Sequence, residues 1–312
     1  VALLAEAGML NVTDWVWEWA VPSGLLIAAG AVLLPGTIRF LQEHGLSETN
    51  YRGRLVPTAG GVLLWLLLLL WYLYEVCVVP SSWPNTDRWV LAVTMVCFAG
   101  LLDDLLGERE VKGLRNHWKI WIGQRRITTG IVKAGTTLVA GMLILLSETA
   151  HLRSEAGTTL AWDSRMLWLL PFKLLLILLA TNAVNLLDVR PGRALKGFFV
   201  SLLLLVWLAS WKESGTEASW KVWRLLVPLT IGAGMFAGAD LRGKVMLGDS
   251  GANVLGFALG VGFVMLTPVS VQAAVLTALA ALHAITWRRS LSVIIERHAL
   301  LRWLDQAGRG RG

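Results

Sequence analysis

The chain has 312 residues, of which 55% are hydrophobic and 16% charged, with a formal net charge of +7 and a mean hydropathy of +0.61. Soluble domains carry about 25% charged residues, so this balance excludes an ordinary water-soluble domain. It predicts an all-α integral membrane protein, a polytopic bundle of about nine transmembrane helices.

Apolar runs of roughly 20 residues are needed to cross a bilayer. The spacing places them at 22–40, 58–79, 89–106, 130–147, 166–187, 194–211, 224–239, 251–267 and 270–287. No Lys or Arg precedes the first run, so the charged n-region of a signal peptide is missing. Before the second stands RGRLVPTAGG (52–61), read as a helix start with Pro57 near the first helical position and glycines for close helix approach. Thr58 fits a helix cap better than a ligand contact. The third run ends in GLLDDLLG (100–107), and a basic loop follows that includes KGLRNHWK (112–119), Arg125 and Arg126, with Lys133 at the start of the fourth run. Cys77 and Cys97 lie inside spans and read as small buried hydrophobes. Lys173, early in the fifth span, reads as a snorkelling side chain.

The fifth run ends in TNAVNLLDVRPGRALKG (181–197), where Asn182, Asn185 and Asp188 recur every three residues and so share a helix face. The eighth opens with GKVMLGDSG (243–251), and the ninth is followed by a basic stretch. An amphipathic helix is expected over 288–306 with Ile294, Ile295, Leu300, Leu301 and Leu304 toward lipid. Residues 1–290 read as one transmembrane catalytic-type domain and 291–312 as a cytoplasmic tail. His117, His283 and His298 have no metal-site spacing.

With the N-terminus outside, 21 of the 28 Lys and Arg residues fall in inner segments and 6 in outer ones. That is a strong positive-inside asymmetry. Twelve tryptophans, among them Trp17, Trp71, Trp89 and Trp207, fall near the outer ends as an interfacial belt. The basic charge therefore needs no nucleic acid to explain it: basic inner loops attract anionic headgroups, or an anionic substrate. In this frame every motif-like stretch is cytoplasmic, in a multi-pass protein of the plasma membrane.

The chemistry follows from residue type. Adjacent carboxylates at Asp103 and Asp104 are costly beside hydrocarbon and repel each other unless a cation or proton lies between them. Mg²⁺ is held by one or two carboxylates plus substrate phosphates; a solvated helix end fits equally well. Asp249 suits both an N-cap and a metal ligand beside a helix N-terminus that could hold phosphate. The Asn182, Asn185 and Asp188 stripe suits a sugar, a base or a metal shell better than interhelical glue. Arg190, Arg193, Lys196 and Lys133 can pair with phosphate, although inner-face anchoring explains most such charges.

PTAGG, LLDD, NAVNLLD and GDSG, in this order over approximately 35–290, resemble the polytopic polyprenyl-phosphate N-acetylhexosamine-1-phosphate transferases of glycosyltransferase family 4. That superfamily includes the phospho-N-acetylmuramoyl-pentapeptide transferases. The resemblance implies transfer of a sugar-1-phosphate from a nucleotide-sugar, a UDP-N-acetylhexosamine, to a membrane polyprenyl phosphate with release of nucleoside monophosphate. Mg²⁺, with Mn²⁺ as a substitute, is the implied cofactor, and a homodimer is a family habit. It implies Asp103, Asp104 and Asp249 as catalytic, with Asp104 and Asp249 toward metal. Asn182, Asn185, Asp188, Thr58, Arg190, Arg193 and Lys133 would be on the substrate side. Two departures stand out. VRPGRA (189–194) replaces an acidic turn, and RRSLSVIIERHALLRWLDQAGRG replaces a histidine-rich loop. They leave open an altered donor, or a non-catalytic relative that binds polyprenyl-phosphate lipids as carrier, regulator or partner subunit. A secondary transporter ranks last, because the carboxylates sit at one membrane edge.

Overall fold

The computed structural model describes residues 15–79, 85–107, 123, 125, 127–155, 164–210 and 217–309. KGLRNHWK with His117, and Arg126, lie outside the described residues. A π-helical turn, Val16–Ala20, leads into α1 (Val21–Glu43). A two-stranded antiparallel hairpin, β1 (Ser47–Thr49) and β2 (Leu55–Pro57), connects it to α2 (Gly61–Val78). Then come α3 (Thr86–Leu106), α4 (Thr129–Glu155), α5 (Ser164–Leu187), α6 (Arg193–Ala209), α7 (Glu217–Leu241), α8 (Gly248–Leu266) and α9 (Val269–Arg288). Two short helices, α10 (Leu291–Arg297) and α11 (Ala299–Gln306), close the described chain.

Eight of these helices are long and apolar enough to span a bilayer. The remaining apolar helix, α6, has 17 residues, at the short end of the spanning range. The architecture is therefore the expected polytopic all-α bundle. In hydrocarbon every backbone polar group must be satisfied internally, which leaves helices as the solution for these runs.

The centre of the bundle is α8. Of its most apolar stretch 89% is buried, against 6% for α9. Glycines bring its neighbours to backbone contact, as small residues do in membrane interfaces. A Cβ on Gly256 would fall 2.6 Å from the Thr181 Cα of α5. One on Gly100 of α3 would fall 2.5 Å from the Ser250 Cα at the start of α8. These two approaches draw the C-terminal ends of α3 and α5 to the N-terminal half of α8.

Two local expectations are corrected. Pro57 is not at a helix start: it ends β2, paired with Ser47, and α2 begins at Gly61. Its carbonyl accepts the Met246 N–H at 2.8 Å, so the stretch ties the hairpin to the α7–α8 loop. A proline at the edge of a two-stranded hairpin leaves no ladder donor missing. The tail helix expected over 288–306 is broken at His298, whose backbone is extended (φ −104°, ψ 117°). The break has a physical reason. Arg193 holds both Ser292 and Asp305, which in one straight helix would stand about 20 Å apart.

At the far end of the bundle Arg224 of α7 bridges Glu18 at 2.7 Å and Glu75 of α2 at 3.2 Å. Trp71 donates its indole N–H to Glu75 at 2.9 Å.

Candidate active site

The site is built where the C-terminal end of α3 meets the N-terminal ends of α4 and α8. Asp103 and Asp104 are successive residues on α3, so they diverge by about 100° around its axis and take different partners. Asp103 accepts from Lys133 Nζ of α4 at 2.8 Å. Lys133 also donates to Asp249 of α8, so one ammonium joins two carboxylates from two helices. Asp104 turns instead to the backbone. Its two oxygens accept the N–H groups of Asp249 at 2.7 Å and Ser250 at 3.0 Å.

Helix N-termini leave N–H groups without intrahelical partners. Here a carboxylate from another helix caps them; the N-cap position is Leu247, and Asp249 lies in the first turn and not at the cap. Asp249 is thereby left facing Lys133. Gly248 makes the turn possible at φ +67°. A Cβ there would lie 2.5 Å from Thr58 Oγ1 and 2.8 Å from Asp104 Oδ1. Thr58 is buried and its hydroxyl has no hydrogen-bond partner.

Asp188 lies just beyond the end of α5 and joins this group. Burial, followed by the charges of Asp240, Asp249 and Asp104, raises its pKa well above the ordinary carboxylate value, and the Gly248 N–H opposes the shift. Asp103, Asp104, Asp188, Asp249 and Asp240 are thus gathered together; Lys133 pairs with Asp103 and Asp249, and the charges of Arg309 and Lys196 reach Asp240. Ionised, they carry an excess of negative charge that favours a cation.

The sequence around these residues matches the glycosyl transferase family 4 model over residues 88–267, more than half of the chain. The chain belongs to glycosyl transferase family 4. Similar proteins are phospho-N-acetylmuramoyl-pentapeptide-transferases. That of Acetivibrio thermocellus is 23% identical over 80% of this chain and 72% of its own length. That of Desulforapulum autotrophicum is 25% identical over 71% and 62%, and that of Heliobacterium modesticaldum 28% identical over 78% and 72%.

In this glycosyl transferase family 4 member, the remaining residues singled out from the sequence divide into two groups. Asn182 points toward α9: its amide Nδ2 donates to His283 Nε2 at 2.9 Å, with His283 Nδ1 bonded to the Leu279 carbonyl. Asn185 is half-buried, and its carbonyl accepts the Asp188 N–H at 3.1 Å. A pocket lined by Tyr51, Asp188, Arg190, Asp240 and Met246 includes the third residue of the stripe, Asp188, and neither asparagine.

Both basic side chains of VRPGRA reach the tail, and Arg190 also lines the pocket. Arg193, only 5% exposed, makes a two-pronged ion pair with Asp305 at 2.8 and 3.0 Å and donates to Ser292 Oγ at 3.0 Å. Arg190 pairs with Glu296 at 3.0 Å and lies 4.9 Å over the Tyr51 ring. Lys196 donates to the carbonyls of Leu304 and Asp305 at the end of α11, where a cation suits the helix C-terminus.

Sequence reasoning passed over Asp240 and the His283 contact. Asp240 is buried and accepts the Gly192 N–H at 2.9 Å. Its signal was available, since it is a carboxylate at the end of an apolar run on the same side as the other motifs. The position of His283, facing the asparagine stripe from a distant helix, had no local signal.

The donor set fits a hard divalent cation. Asp103 and Asp249 already converge on one cationic nitrogen, so their oxygens define a cation position. Among the described residues no group of three or more His, Cys, Asp or Glu has metal-site geometry. A metal here would therefore have two protein carboxylates and would complete its shell with water and substrate oxygens, which is the habit of Mg²⁺.

Proposed function

We propose that this protein transfers a sugar-1-phosphate from a nucleotide-sugar, a UDP-N-acetylhexosamine, to a membrane polyprenyl phosphate and releases nucleoside monophosphate. The reaction would serve cell-wall or surface-glycan synthesis, at the cytoplasmic face of the plasma membrane. The supporting observation is the meeting of Asp103, Lys133 and Asp249 at the helix N-terminus that Asp104 caps. The relatives are named as phospho-N-acetylmuramoyl-pentapeptide-transferases, and this chain would likewise transfer a phosphosugar.

Exchange of one pyrophosphate linkage for another asks the protein for positioning and charge neutralisation more than for covalent chemistry. Asp103 and Asp249 would hold Mg²⁺ or Mn²⁺, in place of the Asp104 and Asp249 pair that the resemblance implies, because both Asp104 oxygens accept the Asp249 and Ser250 N–H groups; the ion when bound would neutralise the reacting phosphates. Lys133, displaced from between the two carboxylates, keeps its ammonium within reach of a phosphate oxygen. Asp104 holds the α8 N-terminus in register, and the Thr58 hydroxyl beside it is left to bond a ligand oxygen. Asn182, Asn185 and Asp188 would contact the donor from α5. Arg190 and Arg193 act through the tail they bind.

A second reading, a non-catalytic binder of polyprenyl-phosphate lipids, has one observation in its favour: Lys133 itself fills the cation position between Asp103 and Asp249. One experiment separates the two. Detergent-purified protein is incubated with undecaprenyl phosphate, Mg²⁺ and a panel of nucleotide-sugars, with Asp103→Asn as control. Release of nucleoside monophosphate from one donor, lost in the control, is expected. No release from any donor, in protein that still binds the lipid, would select the non-catalytic reading.

A further inference from the structure

A second pocket adjoins the first and shares Asn50, Tyr51, Pro191 and Gly243 with it. Its chemistry is the opposite of the carboxylate cluster. Arg52 and Arg54 come from the hairpin, Arg242 from the α7–α8 loop and Arg309 from the chain beyond α11, and among the described residues no Asp or Glu lines it. Three segments far apart in sequence thus send four guanidinium groups to one concavity.

Inner-face anchoring asks only that basic residues be near headgroups, and does not ask them to converge. Arg309 is held in place by construction. Its Nε donates to the Pro191 carbonyl at 3.0 Å, and its Nη2 pairs with Asp305 at 2.6 Å. Asp305 is itself shared with Arg193, so two guanidinium groups face one carboxylate and a net positive charge remains. Tyr51 is flanked by guanidiniums, with Arg52 at 5.2 Å and Arg190 at 4.9 Å from its ring centre. Arginine is the side chain that matches phosphate oxygens in two-pronged fashion.

We propose that this pocket, bounded by Tyr51, Arg52, Arg54, Arg242 and Arg309, is a phosphate-binding site completed by the docked C-terminal tail. Its ligand is a phosphate or diphosphate group, supplied either by a soluble nucleotide or by an anionic phospholipid headgroup. The site needs no transferase chemistry. It also supplies a use for VRPGRA: the turn seats the tail, and the tail delivers Arg309.

The test is calorimetric titration of the full-length purified chain with inorganic pyrophosphate in EDTA, where the carboxylate cluster repels the anion. Saturable binding is expected for wild type and for Asp103→Asn. It should be at least tenfold weaker in Arg54→Gln/Arg242→Gln, whose two side chains are exposed. Asp305→Asn, which loosens Arg309, should also weaken it. The same titration in phosphatidylcholine nanodiscs, with and without phosphatidylglycerol, names the source. Competition by phosphatidylglycerol identifies a headgroup site, and its absence a site for soluble phosphate. Equal binding by wild type and the double variant, or no binding by wild type, would overturn the proposal.

Discussion

The two ends of the bundle both bury charged side chains in apolar helices, but they use them differently. At one end Arg224 lies between Glu18 and Glu75, with the Trp71 indole bonded to Glu75 and the Trp19 ring beside the guanidinium. There one guanidinium serves two carboxylates, and the groups bind one another. At the other end five carboxylates, Asp103, Asp104, Asp188, Asp240 and Asp249, crowd together, and Lys133 pairs with two of them, Asp103 and Asp249. Charge left over in a low-dielectric place is costly, and a cavity that keeps such an excess is built for a ligand of opposite sign. The contrast separates a structural clasp from a site.

The largest effect is expected where that difference is chemical. Asp249→Asn and Asp103→Asn should each lower nucleoside monophosphate release at least about 10²-fold with thermal unfolding little changed. Glu75→Gln should leave turnover per folded molecule intact. The converse effect is on stability. Arg224→Met strands Glu75 without its cation, and breaking a buried pair costs about 3–5 kcal/mol. Thermal unfolding in detergent should show that loss, with partial recovery in Arg224→Met/Glu75→Gln.

A smaller effect is expected at the basic turn. Asp305→Asn weakens charge-assisted hydrogen bonds worth about 1.5–3 kcal/mol each. It should free the tail, read as faster proteolysis after α9. Acid should do the same. Burial alone would raise the Asp305 pKa, but the hydrogen bond and charge of Arg193, with Arg309, hold it below the ordinary value. A depressed carboxylate stabilises above its unfolded pKa of about 3.9 and loses that contribution as pH falls through the folded value. Tail protection should therefore fade below about pH 3.9. Asp188 has the opposite sign: its raised pKa makes its contribution greatest below about pH 3.9 and erodes it as pH rises toward the folded value. Asp188→Asn should flatten the decline of unfolding temperature with rising pH.

The spans were legible because twenty-residue apolar runs have one physical outcome in a membrane protein, and the helix ends fall within a few residues of the hydropathy boundaries, α4 and α7 apart. The carboxylate cluster was legible in part. Asp103, Asp104, Asp188 and Asp249 all stand at ends of apolar runs, where a charge must have a reason. Their division of labour was not legible, because the partner of Asp104 is backbone from a helix 145 residues away in the chain. The destination of Arg193 was hidden for the same reason, since its partner Asp305 is 112 residues distant. A buried arginine and an exposed one look alike in a row of letters. The centrality of α8 was hinted at by its glycines, but which helices pack against them is a property of the assembled bundle.

The most direct test of the contrast between the two ends is a Mn²⁺ titration of the purified protein, followed by electron paramagnetic resonance, in wild type, Asp249→Asn and Glu75→Gln. The account predicts a bound Mn²⁺ in wild type and Glu75→Gln and its loss in Asp249→Asn. Equal binding in all three, or none in wild type, would contradict it.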